Sequence, residues 1–317
     1  MDDVFFGAST EDIDTLKRIA NVLFLEPEGF KKLLHSDLKR GASFPIARSN
    51  ALKNFLKKEY DAKYIADILL DSNNILAIEY LKALQYLNSD MNAVAIKRKG
   101  AAYNSLEIVD NIASATAIRE KIMKNDWESV ARLIPEKSYE IIDQEVMNGK
   151  LPITMKDFEK EILYCFRRYL TEEIANFSDV TEGLENTLKK CSNDQYTLEG
   201  FVEMVKSKRY TKTRIQRLCI NALLDIKKMD TECYKHNIQY ARVLGFTKTG
   251  EKLLSKIHNN ANIPIVTNVP KFMKVANEVQ RKMLEKDILA TNIYTLGAKV
   301  PIYRKVNLDY TIPVIQE

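Results

Sequence analysis

The most constraining part of this chain is residues 72–119, where three short polar signatures interrupt alternating helix and strand patterns. They read SNNILAIEYLKAL, IKRKGAAYN and ASATAIR. Residues 93–96 form a short apolar run typical of a buried parallel strand, and Lys97 and Arg98 follow where that strand would end. A helix is predicted to begin at Ser114 or Thr116. Because a strand, a polar loop and a helix N-terminus in this order form a phosphate cradle, these residues predict an α/β nucleotide-binding domain.

The remaining periodicity divides the chain into two parts. Residues 4–7 predict a strand and its turn, and residues 10–65 predict a helical insertion. After Arg119 the pattern becomes almost wholly helical. We therefore predict a nucleotide-binding domain at residues 1–130 and a helical domain at residues 131–317.

The composition is that of a globular protein large enough to form two cores. The chain has 317 residues, of which 45% are apolar and 29% are charged. Its longest apolar runs fall far short of the ~20 residues that span a bilayer. Acidic residues stand at the amino end, where a secretory signal carries basic ones. We therefore expect a cytoplasmic protein that does not associate with membranes.

The cysteines do not indicate a metal site. Cys165, Cys191, Cys219 and Cys233 are widely separated and show neither C-x-x-C spacing nor a Cys/His ligand pattern. Reduced thiols packed as small apolar groups are the simplest interpretation. The sequence therefore predicts no metal ligands and no disulfides.

The polar residues of the phosphate cradle each allow a structural interpretation beside the functional one. The hydroxyls of Ser114 and Thr116, with the N–H groups of the helix start and Arg119, could hold polyphosphate oxygens, or they could simply cap the helix. Arg98 could pair with phosphate or be solvated. Asn73 could contact a nucleotide or cap its own helix. From these residues alone both interpretations stay open.

A basic cluster marks the helical part as a candidate RNA-binding domain. Residues 204–217 contain six basic residues, a tyrosine and no acid, a composition that suits a nucleic-acid backbone and an unstacked base. Arg214 and Arg217 lie near the start of a predicted helix, where positive charge is unfavourable without an anion. This favours RNA contact over a solvated basic face, and Arg167 with Arg168 is a secondary candidate. The predicted RNA-binding residues are Lys206, Lys208, Arg209, Tyr210, Lys212, Arg214 and Arg217.

Taken together, these segments resemble the bacterial tRNA(Met) cytidine acetate ligases. The resemblance covers essentially the whole chain and includes FFGAS, SFPIARSNAL, the three signatures above, EGLENTL, KRYTKTRIQR and the closing DYTIPVI. It implies an α/β nucleotidyltransferase-like domain of the HUP, Rossmann-like class, N-terminally incomplete, followed by a mainly α-helical C-terminal domain. It implies ATP as cofactor, with magnesium as a further candidate, and acetate and elongator tRNA(Met) as partners. The implied reaction passes through an acetyl-adenylate and forms N4-acetylcytidine at the wobble position.

The resemblance also implies cofactor-binding roles for individual residues. Gly7 in FFGAS matches a nucleotide-contacting glycine, Asn73 matches the first asparagine of the family's P-N-N-I-L-G motif, and Arg98 matches the arginine of its I-K-R motif. Ser114 and Thr116 are expected to contribute to the same cofactor site, and no catalytic residue is assigned. The chain departs from the family pattern at Ser72, at Ala77 and at residues 8–10.

The larger departure lies at the amino end. Family members open with a strand and an H-x-G-H-type motif, whose imidazoles stabilise charge on the ATP phosphates. This sequence has only His35, His236 and His258, none of them in that pattern. We therefore expect a truncated or mis-started chain that lacks ligase activity unless another chain supplies the missing strands. A non-catalytic RNA-binding remnant of the family is the alternative, and an adenylyltransferase for another small molecule is a third class.

Overall fold

The computed structural model contains two compact units, Met1–Glu136 and Lys137–Glu317. Each unit has a hydrophobic core of its own. Among the described residues, every helix is too short or too polar to cross a membrane. The residues that the structure describes are 3–98, 108–109, 112–181, 183–207, 209–234 and 238–316.

The first unit is built on two parallel strands, β1 (Asp3–Ala8) and β2 (Asn92–Lys97). The apolar runs in the sequence predicted both. Their register places Gly7 opposite Ile96, so the two strands end at the same edge. In parallel sheets, ligands bind beyond this carboxyl edge of the strands.

Helices connect the two strands and cover them. Pro27 precedes the second helix and Pro45 lies in the first turn of the third, where a fixed φ favours helix initiation. The core contains Phe6 and Ala8 of β1 together with apolar residues of every connecting helix. The connecting helices are α1 (Ile13–Leu25), α2 (Glu28–Lys39), α3 (Phe44–Leu56), α4 (Ala62–Leu70) and α5 (Ser72–Tyr86).

The start of α5 differs from the sequence-based expectation that Asn73 could cap its own helix. Asp71 is the N-cap, because its Oδ1 accepts hydrogen bonds from the backbone N–H groups of Asn73 (2.8 Å) and Asn74 (3.2 Å). Burial raises the pKa of Asp71, but the hydrogen bonds from Ser9 and from these two N–H groups outweigh it and lower the pKa below its ordinary value. Both asparagine side chains are therefore available for contacts elsewhere.

After β2 the first unit continues with an antiparallel pair of short strands and two helices. The second of these helices contains Trp127, the only tryptophan of the chain. The elements are β3 (Ile108–Val109), β4 (Ile112–Ala113), α6 (Ala115–Met123) and α7 (Trp127–Leu133).

The second unit is mainly helical, as predicted. Its helices are α8 (Glu136–Met147), α9 (Glu159–Arg168), α10 (Thr171–Ile174), α11 (Leu184–Asp194), α12 (Leu198–Val205), α13 (Lys212–Leu223), α14 (Lys228–Tyr234), α15 (Lys248–Asn260), α16 (Val269–Val275), α17 (Glu278–Tyr294) and α18 (Leu308–Thr311). Short 3-10 helices lie at Met155–Phe158, Thr295–Gly297 and Pro301–Tyr303. Its main core lies among α9, α11, α12 and α13.

Two-residue strands near the carboxyl end of this unit were not predicted, since a period of two cannot be recognised over so short a run. They are β5 (Ala241–Arg242), β6 (Gly245–Phe246), β7 (Ile265–Val266) and β8 (Ile315–Gln316). β5 pairs with β7 and β6 pairs with β8, both in parallel. A smaller core that includes Tyr240, Val266, Phe272 and Leu284 lies beside the first pair.

Candidate functional site

Gly7, Asn73 and Arg98 lie together where the parallel strands of the first unit end. Arg98 directly follows β2, and its backbone N–H donates to the carbonyl of Ala8 at 2.9 Å, which extends the strand pairing by one bond. Its Nη1 donates to Asn73 Oδ1 at 2.6 Å, across a sequence separation of 25 residues. The fold therefore joins two of the sequence signatures through one short side-chain hydrogen bond.

Gly7 provides the space that this contact needs. A Cβ at Gly7 would lie 3.2 Å from Cγ and 3.5 Å from Cδ of Arg98, closer than most side chains approach one another. The backbone of Gly7 is in an ordinary strand conformation, so any residue could adopt it. A larger residue is disfavoured here only because its side chain would crowd that of Arg98. A glycine here lets Arg98 pass close to β1 on its way to Asn73.

The start of α5 is tied to the loop after β1 by the next asparagine. Asn74 is buried, and its Oδ1 accepts hydrogen bonds from the backbone N–H groups of Ser9 (2.8 Å) and Thr10 (3.4 Å). These contacts fix the position of Asn73 relative to the end of β1. Sequence reasoning missed Asp71 and Asn74 as positioning residues, although Asp71 is a strong capping type directly before the predicted helix.

The trio presents positive charge and hydrogen-bond donors to solvent. The Arg98 side chain is exposed, and among the described residues no carboxylate pairs with it. A guanidinium has five N–H donors, so donors remain after the bond to Asn73 for a phosphate or a nucleotide carbonyl. This arrangement can bind an anion at the sheet edge where ligands of α/β proteins are found.

Ser114 and Thr116 lie at the start of α6. Ser114 is buried and is the N-cap of the helix, since its Oγ accepts the backbone N–H of Ala117 at 3.0 Å. Thr116 and Arg119 are exposed in the first turns. The hydrogen bonds described for Arg98 and Asn73 do not involve these residues, and their cofactor-binding role stays a prediction. Residues 99–107 of the second signature lie outside the described residues.

The basic cluster of the second unit pairs with acidic residues that lie outside residues 204–217. Glu203 lies 3.0 Å from Lys206 Nζ and 3.1 Å from Lys212 Nζ. Hydrogen bonds from Lys206 and then from Lys212 lower the pKa of the Glu203 carboxyl. Arg209 and Lys212 are exposed, whereas Lys208 lies outside the described residues.

The expectation that the arginines of α13 lack an anion is wrong. Arg217 Nε lies 2.5 Å from Asp179 Oδ2, and Arg214 Nη2 donates to the Asp179 carbonyl at 3.0 Å. Asp179 is 38 residues before Arg217, so only the tertiary fold reveals the pair. The charge of Arg217 is thus already paired within the protein, whereas Arg214 binds a neutral backbone carbonyl.

Tyr210 packs against two guanidinium groups of the cluster. The Arg209 and Arg214 Cζ atoms lie 5.5 Å and 5.1 Å from the ring centroid, which are cation–π distances. The Tyr210 hydroxyl is 3.1 Å from Thr181 Oγ1. Tyr210 therefore helps to position Arg209 and Arg214. Their guanidinium groups offer both planar faces and N–H donors.

The secondary candidate Arg167 has a structural role. Its guanidinium donates to the carbonyls of Ser192 and Gln195, both at 2.8 Å, at the end of α11. Free carbonyls at a helix C-terminus favour such cationic donors. Arg168 lies over the rings of Tyr164 and Tyr169, at 5.8 Å and 5.9 Å from their centroids.

Of the four cysteines, two are buried, Cys165 is partly buried and Cys233 is exposed. Cys191 and Cys219 are buried free thiols, and burial raises the pKa of Cys219 to about 12. Such thiols are inert as nucleophiles at neutral pH. In the part of the chain that the structure describes, no group of three or more His, Cys, Asp or Glu side chains could hold a metal ion.

Comparison with known proteins identifies the family. The HIGH Nucleotidyl Transferase family model matches residues 1–308. The tRNA(Met) cytidine acetate ligase of Halothermothrix orenii is 38% identical over 325 residues, which covers 100% of this chain and 77% of that protein. The protein of the same name from Acetivibrio thermocellus is 36% identical over 321 residues, covering 99% and 77%. The chain belongs to the tRNA(Met) cytidine acetate ligase family.

Solved structures of the family agree with the fold. The apo form of Thermotoga maritima TmcAL matches with a TM-score of 0.93 at 32% identity, over 100% of this chain and 77% of that one. The same protein bound with alpha-thio ATP matches with a TM-score of 0.91 over 100% and 76%. The predicted nucleotidyltransferase-like α/β domain with a mainly helical C-terminal part is therefore confirmed, as is the resemblance to the ligase family.

Proposed function

We propose that this protein takes part in the ATP-dependent acetylation of the wobble cytidine of elongator tRNA(Met), with ATP bound at Gly7, Asn73 and Arg98. The observation that carries the proposal is the 2.6 Å hydrogen bond between Arg98 and Asn73 at the carboxyl edge of the parallel strands. It leaves a cation and free donors at the position where this fold class binds nucleotides. The names of the relatives and the ATP analogue bound to the Thermotoga maritima protein support the same assignment.

In the proposed reaction, acetate attacks the α-phosphorus of ATP, which gives acetyl-adenylate and releases pyrophosphate. The cytidine N4 amine then attacks the acetyl carbon, AMP leaves, and the amine loses a proton. Arg98 would pair with phosphate oxygens, and Asn73 would hold the guanidinium in place. Magnesium would enter with the ATP phosphates, as Mg²⁺ commonly does in nucleotide sites.

The further assignments follow from this proposal. Nucleotide binding belongs to residues 1–130, where Ser114 and Thr116 would add donors, and RNA binding belongs to the helical residues 131–317. A tRNA substrate and an ATP cofactor support a cytoplasmic location. The proposed RNA-contacting residues are Lys206, Lys208, Arg209, Tyr210, Lys212, Arg214 and Arg217.

The ATP site is tested by Arg98→Ala with titration calorimetry against alpha-thio ATP. We expect the variant to bind at least 10-fold more weakly, because charge-assisted hydrogen bonds to phosphate are strong. Arg18→Ala is the matched control, since Arg18 is a half-exposed arginine of the same unit whose ion pair is with Glu59 at 2.7 Å. Equal affinity of the Arg98→Ala variant and the unaltered protein would refute the assignment.

The reaction is tested by transfer of radiolabelled acetate to tRNA in the presence of ATP, followed by nuclease digestion and detection of N4-acetylcytidine by mass spectrometry. Transfer that depends on both ATP and Arg98 supports the proposal. Transfer by the 317-residue chain alone would contradict the sequence-based expectation that an H-x-G-H segment is required. ATP-dependent release of pyrophosphate that needs neither acetate nor tRNA would point to another adenylyltransferase.

A further inference from the structure

The second unit has another strongly basic segment, at residues 241–275. It contains six basic residues and one acid, so it carries a formal charge of +5, equal to that of the whole chain. Arg242 pairs with Asp309. The other five are exposed lysines, and in the part of the chain that the structure describes no carboxylate pairs with them. They are Lys248, Lys252, Lys256, Lys271 and Lys274.

Three of these lysines follow one another along α15. Lys248, Lys252 and Lys256 are spaced four residues apart, so they lie on one side of the helix, about 6 Å apart along its axis. Like charges at this spacing repel one another and destabilise the helix. Lys248 also lies in the first turn, where the helix dipole disfavours a cation. A polyanion bound along this lysine face of α15 would relieve both effects.

The opposite side of α15 attaches the helix to the second unit. Gly250, Leu254 and Ile257 share that side, and the two apolar side chains are half-buried. The helix packs against β6, where a Cβ at Gly250 would lie 3.3 Å from Phe246 Cβ. Thr247 caps the helix, since its Oγ1 accepts the N–H of Gly250 at 3.2 Å. The fold therefore supports α15 from one side and leaves the lysine face to solvent.

We infer that the lysine face of α15 binds the phosphate backbone of the tRNA. A row of unpaired lysines matches a polyanion, because each contact with a phosphate releases counterions. Thr249, Ser255 and Asn259 are exposed on the same side of the helix. Hydroxyl and amide groups of this kind bind phosphate and sugar oxygens. The inference rests on the proposed function in that a tRNA is the partner.

The basic cluster at residues 204–217 differs from this face in its internal ion pairs. Lys206 and Lys212 share Glu203, and Arg217 pairs with Asp179. A phosphate that binds there competes with carboxylates of the protein, whereas a phosphate on α15 displaces only water and counterions. We therefore expect α15 to contribute to the salt dependence of tRNA binding at least as much as the basic cluster does.

The apolar residues of α15 favour RNA over a membrane surface. Helices that lie on membranes insert large apolar side chains beside their basic residues. Leu254 and Ile257 instead pack toward the second unit. Of the large apolar residues of α15, only Leu253 is mostly exposed, at 53%. One such side chain provides little apolar area for insertion.

Acetylation of lysines by N-hydroxysuccinimidyl acetate, followed by mass spectrometry, tests the contact in the unaltered full chain. With tRNA present, we expect Lys248, Lys252 and Lys256 to react at least three-fold more slowly than without it. Lys57 and Lys58 of the first unit are exposed and serve as controls whose rates should not change. Equal rates at the three α15 lysines with and without tRNA would overturn the inference.

Charge-removing variants measure the contribution of the same face. We expect the triple variant Lys248→Gln, Lys252→Gln, Lys256→Gln to bind tRNA at least 10-fold more weakly at physiological salt. Its slope of log affinity against log salt should fall by about 2 to 3, since each phosphate contact contributes roughly 0.7 to 0.9. Glutamine preserves the helix, because its helix propensity is close to that of lysine. An unchanged slope would count against α15 as an RNA surface.

Two further variants control for overall charge. Replacing Lys57, Lys58 and Lys63 by glutamine removes the same charge from exposed positions of the first unit and should leave the slope unchanged. Glu251→Gln removes the only acid of α15 and should strengthen tRNA binding about two-fold. Equal losses of affinity in the two triple variants would show an effect of net charge and overturn the inference.

Vesicles that contain phosphatidylserine distinguish RNA from a lipid surface. If the α15 triple variant loses vesicle binding but keeps the tRNA affinity of the unaltered protein, the face belongs to a membrane and the inference is overturned. These measurements use neither ATP nor acetate. Protection of the α15 lysines by a tRNA that is never acetylated would therefore support this inference while refuting the proposed reaction.

Discussion

At the scale of single residues, the candidate ATP site depends on a glycine as much as on a charge. Arg98 reaches Asn73 because nothing projects from Gly7 into its path. Asn73 can accept that hydrogen bond because Asp71 has taken over the capping of α5. Gly7 thus leaves room for Arg98, and Asp71 leaves the Asn73 side chain free to bind Arg98.

We predict that Gly7→Ala weakens ATP binding several-fold without unfolding the protein. The new Cβ would lie 3.2 Å from Arg98 Cγ, and the flexible arginine would move away from Asn73. The affinity for alpha-thio ATP, measured by calorimetry, checks this. Gly29→Ala is the matched control, since its Cβ would also meet a side-chain atom at 3.2 Å, that of Phe55. A loss of affinity in both variants would argue for a general effect on stability.

At the scale of elements, the N-terminus of α5 links helix stability to the position of the site. The Asp71 carboxylate satisfies two N–H groups of the first helical turn, and Asn74 binds the loop after β1. An anion at this end also interacts favourably with the helix dipole. The segment from Asp71 to Asn74 therefore positions α5 against the end of β1.

We predict that Asp71→Ala lowers the free energy of unfolding of the first unit by about 1 kcal/mol at pH 7, the usual effect of losing an N-cap. Because the pKa of Asp71 is lowered in the folded protein, its contribution is present above the unfolded pKa of about 3.9 and is lost as the pH falls through the folded value. The difference between the variant and the unaltered protein should therefore shrink in acid.

Urea unfolding followed by the fluorescence of Trp127, the only tryptophan, measures this in the first unit. Asp90→Ala is the control, because Asp90 is exposed and lies outside the helix start. A difference that stays constant from pH 7 to pH 3 would contradict the role of the charged carboxylate.

In the second unit, the start of α13 also combines a helix cap with charged side chains. Thr211 is its N-cap, with Oγ1 accepting the N–H of Arg214 at 3.4 Å. Arg217 pairs with the Asp179 carboxylate, and Lys206 and Lys212 share Glu203. The basic cluster is thus a network of ion pairs with an excess of positive charge, in which the exposed Arg209 contacts the Tyr210 ring.

At the scale of the whole molecule, the two units have separate cores and separate candidate ligands. The residues proposed for ATP lie in the first unit, whereas the basic cluster lies in the second. Since each unit buries its own apolar residues, a surface change in one should leave binding by the other intact.

We predict that Arg209→Ala weakens tRNA binding and leaves ATP binding unchanged. Removing one phosphate-contacting charge should reduce the slope of log affinity against log salt by about 1. Filter binding of tRNA from low to physiological salt measures the slope, and calorimetry measures ATP affinity. Arg98→Ala should give the reverse result, and an unchanged salt slope in Arg209→Ala would exclude Arg209 from the RNA surface.

The sequence alone was sufficient for the features that depend on local pattern. The apolar runs at residues 4–6 and 93–96 predicted the paired strands, the periodicity after Arg119 predicted the helical unit, and the motifs predicted the ligase family. These succeed because burial of apolar groups imposes a period that a short window of sequence already contains.

Only the tertiary structure decided which polar groups meet. Arg98 contacts Asn73 across 25 residues, Arg217 contacts Asp179 across 38, and Asp309 pairs with Arg242 from another part of the chain. Hydrogen bonds and ion pairs act over a few ångströms in space, and no periodicity records which distant residues the fold brings within that range.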